Sequence, residues 1–207
     1  MNAATLVTTI SFSLAAAEAA DLAQMQARFV PVPLKADVSK LSPGDRRALG
    51  ILRDAATLVD RLYMKQLWPG NLDLLAKLRE DRSDVGRARL EYYLLNKGPW
   101  SDLDEHEAFM PGIPKRKPLG ANFYPADMTK EEFESWEKTL SAAEREKAQS
   151  FFTVVRRDTA GKLKLVPYSL EYEAELGQLA KLLRDAATAT TNPTLARFLR
   201  ARADAFV

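Results

Sequence analysis

The chain has 207 residues, with 30 basic and 28 acidic side chains, a formal net charge of +2, one histidine and no cysteine, and 46% of it is hydrophobic. That makeup belongs to a folding globular chain rather than a disordered or fibrous one. The absent cysteines exclude disulfides, thiol catalysis and cysteine-ligated zinc or iron–sulfur sites, and the lone His106 excludes a zinc site with two or three histidine ligands. The charges alternate, as in Lys130-Glu131-Glu132 and Glu144-Arg145-Glu146-Lys147, which suits solvated helix faces. The densest basic run, Lys115-Arg116-Lys117, lies in a proline-rich stretch, so no nucleic-acid partner is expected.

Between Ala3 and Ala20 the only charged residue is Glu18, and Ala17-Glu18-Ala19 fits a small-x-small cleavage site. No Lys or Arg precedes Arg28, however, so residues 1–20 have two open readings, a secretory signal remnant or an alanine-rich N-terminal helix. The first implies a periplasmic or secreted protein, the second a cytoplasmic one. The run is too short and too rich in Ser and Thr to span a bilayer, and no membrane span is expected.

Phe29-Val30-Pro31-Val32-Pro33-Leu34 predicts an extended segment. Ser42 as cap, Pro43 in the first helical position and Asp45 in the first turn then open a long helix. Its Leu49, Leu52, Ala55, Ala56, Val59, Leu62 and Tyr63 predict one buried stripe ending near Trp68. Shorter helices are predicted over 72–79 and from Ser83 to about Leu95, the latter closed by Asn96-Lys97-Gly98-Pro99.

Residues 97–127 hold five prolines and three glycines, which argue against regular structure, interleaved with Trp100, Phe109, Met110, Ile113, Phe123 and Tyr124. So many large apolar groups predict a long but ordered and packed loop. Thr129 with Glu132 is a capping-box signature opening a helix toward Leu140, and Ser141 with Glu144 repeats it, opening a second helical segment or a kinked continuation to about Gln149. The run 151–157, the turn residues Asp158 to Gly161 and the alternating 162–166 predict a β-hairpin over about 151–168. Ser169 is read as the cap of a helix with Leu170 through Ala186 inside it, ended by Thr190-Thr191-Asn192, and Asn192-Pro193 starts the last helix, whose apolar face is Leu195, Phe198 and Leu199. The expected fold is therefore mainly α, with one small hairpin, in a single mostly helical region over 29–207. The last helix has neither a glycine stop nor a polar tail, and the C-terminus reads as a cut rather than an end.

Chemistry is sparse. His106-Glu107 is followed by Ala108-Phe109-Met110-Pro111, which supplies no second histidine one turn on, so His106 is read as a surface-loop histidine. There is no glycine-rich phosphate cradle and no nucleophile elbow. The paired carboxylates Asp102 with Asp104, and Glu131 with Glu132 and Glu134, are read as solvated helix N-termini. No catalytic or metal-binding residue is assigned, and no cofactor is expected in this chain.

One ordered set of motifs is distinctive: Asn96-Lys-Gly-Pro-Trp100-Ser-Asp102-Leu-Asp104, then Phe109-Met-Pro-Gly112, then Gly120-Ala-Asn122-Phe-Tyr124-Pro-Ala-Asp127-Met-Thr-Lys-Glu-Glu-Phe133. It resembles the N-terminal region of bacterial dipeptidyl peptidase III-like zinc hydrolases, with support from residues 29–34 upstream and 153–168 downstream. The resemblance implies a two-lobed zinc metallopeptidase that removes dipeptides from peptide N-termini, or a hydrolase derived from one. It also implies zinc held by a His-Glu-x-x-Gly-His helix and a later Glu-Glu-containing helix; neither motif occurs here. The chain is thus expected to be an N-terminal segment of the noncatalytic lobe, with a peptide substrate and the missing C-terminal zinc lobe as partners. Asn122 and Tyr124 are the candidates for contacts to the peptide cleft. The competing expectation is a stand-alone helical binding module that uses residues 97–127 as its interaction surface.

Overall fold

The structure, a computed structural model, describes residues 16–207. The signal-or-helix expectation for residues 1–20 therefore falls largely outside the described residues; residues 16–26 are helical and are called α1. The chain divides into two compact units, each assembled from separated stretches. One comprises residues up to Leu34 with Leu67–Leu119, the other Lys35–Gln66 with Gly120–Val207.

In the first unit α1 is joined by α3 (Asn71–Glu80), α4 (Asp84–Asn96) and two-residue strands β1 (Trp100–Ser101) and β2 (Glu107–Ala108). Ser83 caps α4 by accepting the Gly86 N–H at 3.0 Å, and Lys97 closes it in the left-handed conformation at φ 57. Tyr92 and Tyr93 are fully buried on adjacent faces of that helix. Phe29 and Phe109 meet the Tyr92 ring edge-on at 6.1 and 4.7 Å, while Tyr93 donates its O–H to the buried Asn71 Oδ1 at 2.6 Å. The predicted packed loop is present, with Trp100 and Met110 buried and the Trp100 Nε1–H bonded to the Pro114 carbonyl at 2.9 Å. Regular structure is not wholly missing from it: Trp100 pairs with Ala108 and Ser101 with Glu107, antiparallel.

The second unit contains α2 (Pro43–Leu67, all but its last residue), α5 (Lys130–Glu137), α6 (Ala142–Ala148), β3 (Thr153–Arg157), β4 (Leu163–Pro167), α7 (Tyr168–Glu171), α8 (Glu173–Ala189) and α9 (Pro193–Asp204). The predicted hairpin is β3–β4, antiparallel from Thr153↔Pro167 to Arg157↔Leu163. Asn192 caps α9 through the Thr194 and Leu195 N–H groups at 3.0 and 3.1 Å, with Pro193 in the first turn, as expected. The mainly α architecture is as predicted, and among the described residues there are two small antiparallel pairs where the sequence predicts one. No described helix is long and apolar enough to cross a membrane.

The core of this unit is rich in alanine: Ala48 and Ala55 of α2 pack with Leu179, Ala180, Leu183, Ala186 and Ala187 of α8 and with Ala196, Leu199 and Ala203 of α9. Small side chains at the contact let helix axes approach closely. The expected α2 stripe needs correction here. Ala48, Ile51, Leu52, Ala55 and Leu58 form the packed face, so Leu52 and Ala55 of the expected stripe are on it, whereas Leu49, Val59 and Tyr63 are each 47% exposed. The long helix is apolar on two neighbouring faces, and only one can meet α8 and α9, so the sequence pattern merges them.

Two other boundaries differ. Ser169 does not cap a continuous helix. α7 follows Pro167, and the chain breaks at Tyr172 (φ −119, ψ 26) before α8 begins. Burying the Tyr172 ring, 1% exposed and edge-on to Tyr168 at 5.2 Å, takes precedence over helix continuity. Phe151 and Phe152 precede the strand rather than opening it, and both are exposed.

At the start of α2, Ser42 accepts the Asp45 N–H at 3.1 Å. The Asp45 carboxylate in turn accepts the Thr190 hydroxyl, the Thr191 N–H at 3.1 Å and the Ser42 hydroxyl at 2.7 Å, fastening α2 to the α8–α9 turn. These donors, Thr190 first and Ser42 next, hold the Asp45 carboxyl at about 2, below its ordinary 3.8. A depressed folded-state pKa stabilises the fold above the unfolded value and loses that contribution as pH falls. Asp45→Asn should therefore lower the melting temperature near neutral pH, with the gap from the native chain shrinking as pH falls from about 4 toward 2. Thermal melts across that range check it.

Candidate functional site

The loop at residues 120–128, carrying the candidates Asn122 and Tyr124, is shaped by its first two residues. Gly120 (φ 78) and Ala121 (φ 49) both lie in the left-handed region, and a Cβ at position 120 would stand 2.9 Å from the Tyr124 ring. This reversal aims Asn122 at the open end of α2. Its N–H donates to the Gln66 carbonyl and its side-chain Nδ2 to the Lys65 carbonyl, each at 2.8 Å. The last carbonyls of a helix have no partners within it, and Asn122 closes two of them.

The hairpin grips the same loop. Val155 donates its N–H to the Phe123 carbonyl at 2.9 Å. Arg156 donates Nη2 to the Asn122 carbonyl at 2.9 Å and reaches Glu171 Oε1 at 2.7 Å. Arg157 binds both Glu132 oxygens at 2.9 Å through its two Nη atoms and both Asp127 oxygens through Nε at 3.1 and 3.2 Å. Planar two-point contacts of this kind orient as well as attract. The Arg157 hydrogen bonds hold the Asp127 and Glu132 carboxyls below their ordinary values. They also explain a half-formed cap: Thr129 accepts the Glu132 N–H at 3.1 Å, but the Glu132 carboxylate is taken by Arg157, whereas Ser141 and Glu144 complete both halves of their box.

Asn122 and Tyr124 thus share a loop but serve different neighbours. Asn122 is half-buried with its donors spent on α2, and Tyr124, 37% exposed, lies edge-on to Phe133 of α5 at 5.7 Å. Phe123 stacks on Tyr168 at 6.1 Å and 10°. Beside them Lys65 pairs with Glu175 at 2.7 Å and sits 5.7 Å over the Tyr172 ring, whose phenol is pushed up to about 12, mainly by burial. Two open grooves flank Trp136, one of about 400 Å³ bounded by Leu140, Lys147 and Leu165, the other of about 550 Å³ bounded by Glu132, Thr139 and Arg157. General acid–base work near neutral pH needs a group poised near that pH, and these tied carboxylates and the buried phenol are not. The arrangement can position and recognise.

In the first unit His106 occupies a tight turn. Asp104 accepts the Glu107 N–H at 2.9 Å, and the two residues between, Glu105 (φ 52) and His106 (φ 59), are both left-handed. His106 is exposed, as expected, and its Nδ1 lies 3.0 Å from Asp102 Oδ1. Asp102 and Asp104 are not at a helix N-terminus as anticipated; they belong to this turn. Arg28 and Ser101 hydrogen-bond to Asp104 and hold its carboxyl at about 2. Among the described residues no group of three or more His, Asp or Glu side chains is placed to hold a metal.

Arg156 and Arg157, which organise the 120–128 loop, are not singled out by the sequence. Their only local signal is a pair of arginines ending a strand, and their partners lie 15 to 34 residues away.

No protein-family model matches the chain. Among curated proteins it is 31% identical over 228 residues to Nudix hydrolase 3 of Arabidopsis thaliana, a match covering 87% of this chain and 30% of that protein. Among solved structures it is 52% identical to dipeptidyl-peptidase III from Corallococcus sp. strain EGB, with a TM-score of 0.86 over 91% of this chain and 35% of that one. It is 37% identical to DPP III from Caldithrix abyssi, with a TM-score of 0.81 over 88% of this chain and 34% of that one. The chain therefore spans about a third of the length of each of these relatives. Sequence and fold are similar to the matched third of the two dipeptidyl-peptidase III structures.

The clasp at Asn122 yields a directional test. Asn122→Ala removes one hydrogen bond to a helix end and should cost about 1 kcal/mol. Asn122→Asp, nearly the same shape, turns the donor into an anion facing a carbonyl at the negative end of the helix dipole, and should cost roughly a further 1 kcal/mol. Urea unfolding measures both, and a native-like midpoint for the Asp variant would show that the side chain does not cap α2.

Proposed function

We propose that this chain is the N-terminal, noncatalytic segment of a dipeptidyl peptidase III-like zinc hydrolase and is inert by itself. The observation that carries the reading is the 52% identity and TM-score of 0.86 to about a third of a dipeptidyl-peptidase III. The chain's own residues do not fit a zinc site: its one histidine is exposed, half of a pair with Asp102, and the carboxylates around the 120–128 loop are tied to arginines. In this reading the lobe supplies rigid surface beside the peptide cleft, and zinc and the groups that activate water come from the rest of the polypeptide. Tyr124, partly exposed on a loop clasped from three sides, is the candidate peptide contact, and Asn122 acts behind it by fixing the loop. The Nudix hydrolase name describes a protein of which the match covers 30%, and the chain has no glycine-rich anion cradle that would support carrying that activity over. The competing reading, a binding module presenting residues 97–127, is less well supported because that loop turns Trp100 and Met110 inward and packs Phe109 on Tyr92.

The purified chain should hold no stoichiometric zinc by elemental analysis and release no dipeptide from chromogenic dipeptidyl substrates. Substituted for the matched segment of the Corallococcus protein, it should give a chimera that holds zinc and releases dipeptides. Turnover by the isolated chain, or a folded chimera without activity, would sink the reading.

A further inference from the structure

The second unit ends its hairpin with an unusual surface. Phe151 is 89% exposed and Phe152 74% exposed, and Leu170 of α7 is 65% exposed. The backbone that carries the phenylalanines is held in place. Ser150 Oγ accepts the Phe152 N–H at 3.1 Å, and the Phe152 carbonyl accepts the Tyr168 N–H at 2.8 Å. The Phe152 ring also stands edge-on to Tyr168 at 6.4 Å, and Tyr168 stacks on Phe123 of the clasped loop. The Phe152 ring is therefore presented to solvent on a firm aromatic base, next in sequence to the exposed Phe151.

A phenylalanine side chain buries about 150–250 Å² when covered, so at these exposures the pair alone leaves roughly 300 Å² of apolar surface uncovered. The largest apolar patch on a soluble monomer is itself about 300–600 Å² and is often functional. Its size argues about the occupant. A stable association of separate chains buries about 800 Å² per partner, more than twice what the pair offers, so a second copy of this chain is not the natural cover. A segment joined covalently to the same polypeptide needs far less, because the linkage supplies the effective concentration. The dipeptidyl-peptidase III chains that this sequence matches extend well beyond the match, which covers 35% and 34% of them.

We infer that Phe151 and Phe152 form the docking surface through which this segment seats the remaining two-thirds of a dipeptidyl peptidase III-like polypeptide. The inference rests on the function proposed above and adds which face of the segment makes the contact. The aromatic chain Phe152–Tyr168–Phe123 then joins that contact to the loop carrying Asn122 and Tyr124, so seating the rest of the polypeptide and holding the loop share one set of rings.

The chain has no cysteine, which makes a thiol probe clean. Phe151→Cys and Phe152→Cys variants are alkylated with a maleimide, once in the free chain and once in the chimera with the Corallococcus remainder, and the rate at each position is read by peptide mass spectrometry. Both thiols should react freely in the isolated chain and about tenfold or more slowly in the chimera, as for a surface exposed only by local opening. Equal rates in the two settings overturn the inference. So does protection in the free chain accompanied by a dimeric mass in light scattering, which would assign the surface to a second copy, and so does protection conferred by added peptide rather than by the remainder. Dipeptide release by the same chimera reports separately on the proposed function, so the two can fail independently.

Discussion

The second unit depends on how the C-terminal end of α2 is closed. A helix of 25 residues leaves its last carbonyls without internal partners, and here one residue from a distant part of the chain answers two of them, Asn122 with its backbone N–H and its side-chain amide. Fixing Asn122 fixes the carbonyl that Arg156 reads, and Phe123 beside it supplies the acceptor for Val155. The loop is therefore anchored by the helix end, the strand backbone, a guanidinium shared with Glu171 and, at Asp127, Arg157. Gly120 makes this reachable, since the approach needs a left-handed turn pressed against the Tyr124 ring.

The other end of α2 is held by different chemistry toward the same purpose. Asp45 gathers the hydroxyls of Ser42 and Thr190 and the Thr191 N–H, so the first turn of α2 is tied to the junction of α8 and α9 just where the alanine-lined face begins. Between these ends the close packing of Ala48 and Ala55 on α8 and α9 leaves a second apolar face, with Leu49, Val59 and Tyr63, directed outward. Apolar surface is thus left outside on α2 and at Phe151 and Phe152.

The charged groups around the 120–128 loop are arranged for geometry. Asp127 and Glu132 share Arg157, Glu171 pairs with Arg156, and Glu175 pairs with Lys65. The Asp127 and Glu132 carboxyls, held below their ordinary values by Arg157, are poor proton donors near neutral pH. These ties fix geometry in a chain whose sequence and fold are similar to one third of a dipeptidyl-peptidase III.

Features that depend on neighbours in the chain are legible in the amino-acid sequence by itself. The caps at Ser83, Ser141 and Asn192, the proline starts at Pro43 and Pro193, the β3–β4 hairpin and the packed Trp100 loop all follow from residues within a few positions of one another. The run around Asn122 likewise points to the fold that the solved relatives share with this chain. Features that depend on what arrives from far away are not legible there. Which of two apolar faces of α2 is buried depends on where α8 and α9 lie, the break at Tyr172 comes from burying its ring, and Glu132 leaves its cap because Arg157, 25 residues on, binds it more strongly. Local sequence sets the conformations a segment can adopt at low cost, and long-range packing and ion pairing choose among them, because burial and paired charge outweigh a cap or half a turn of helix.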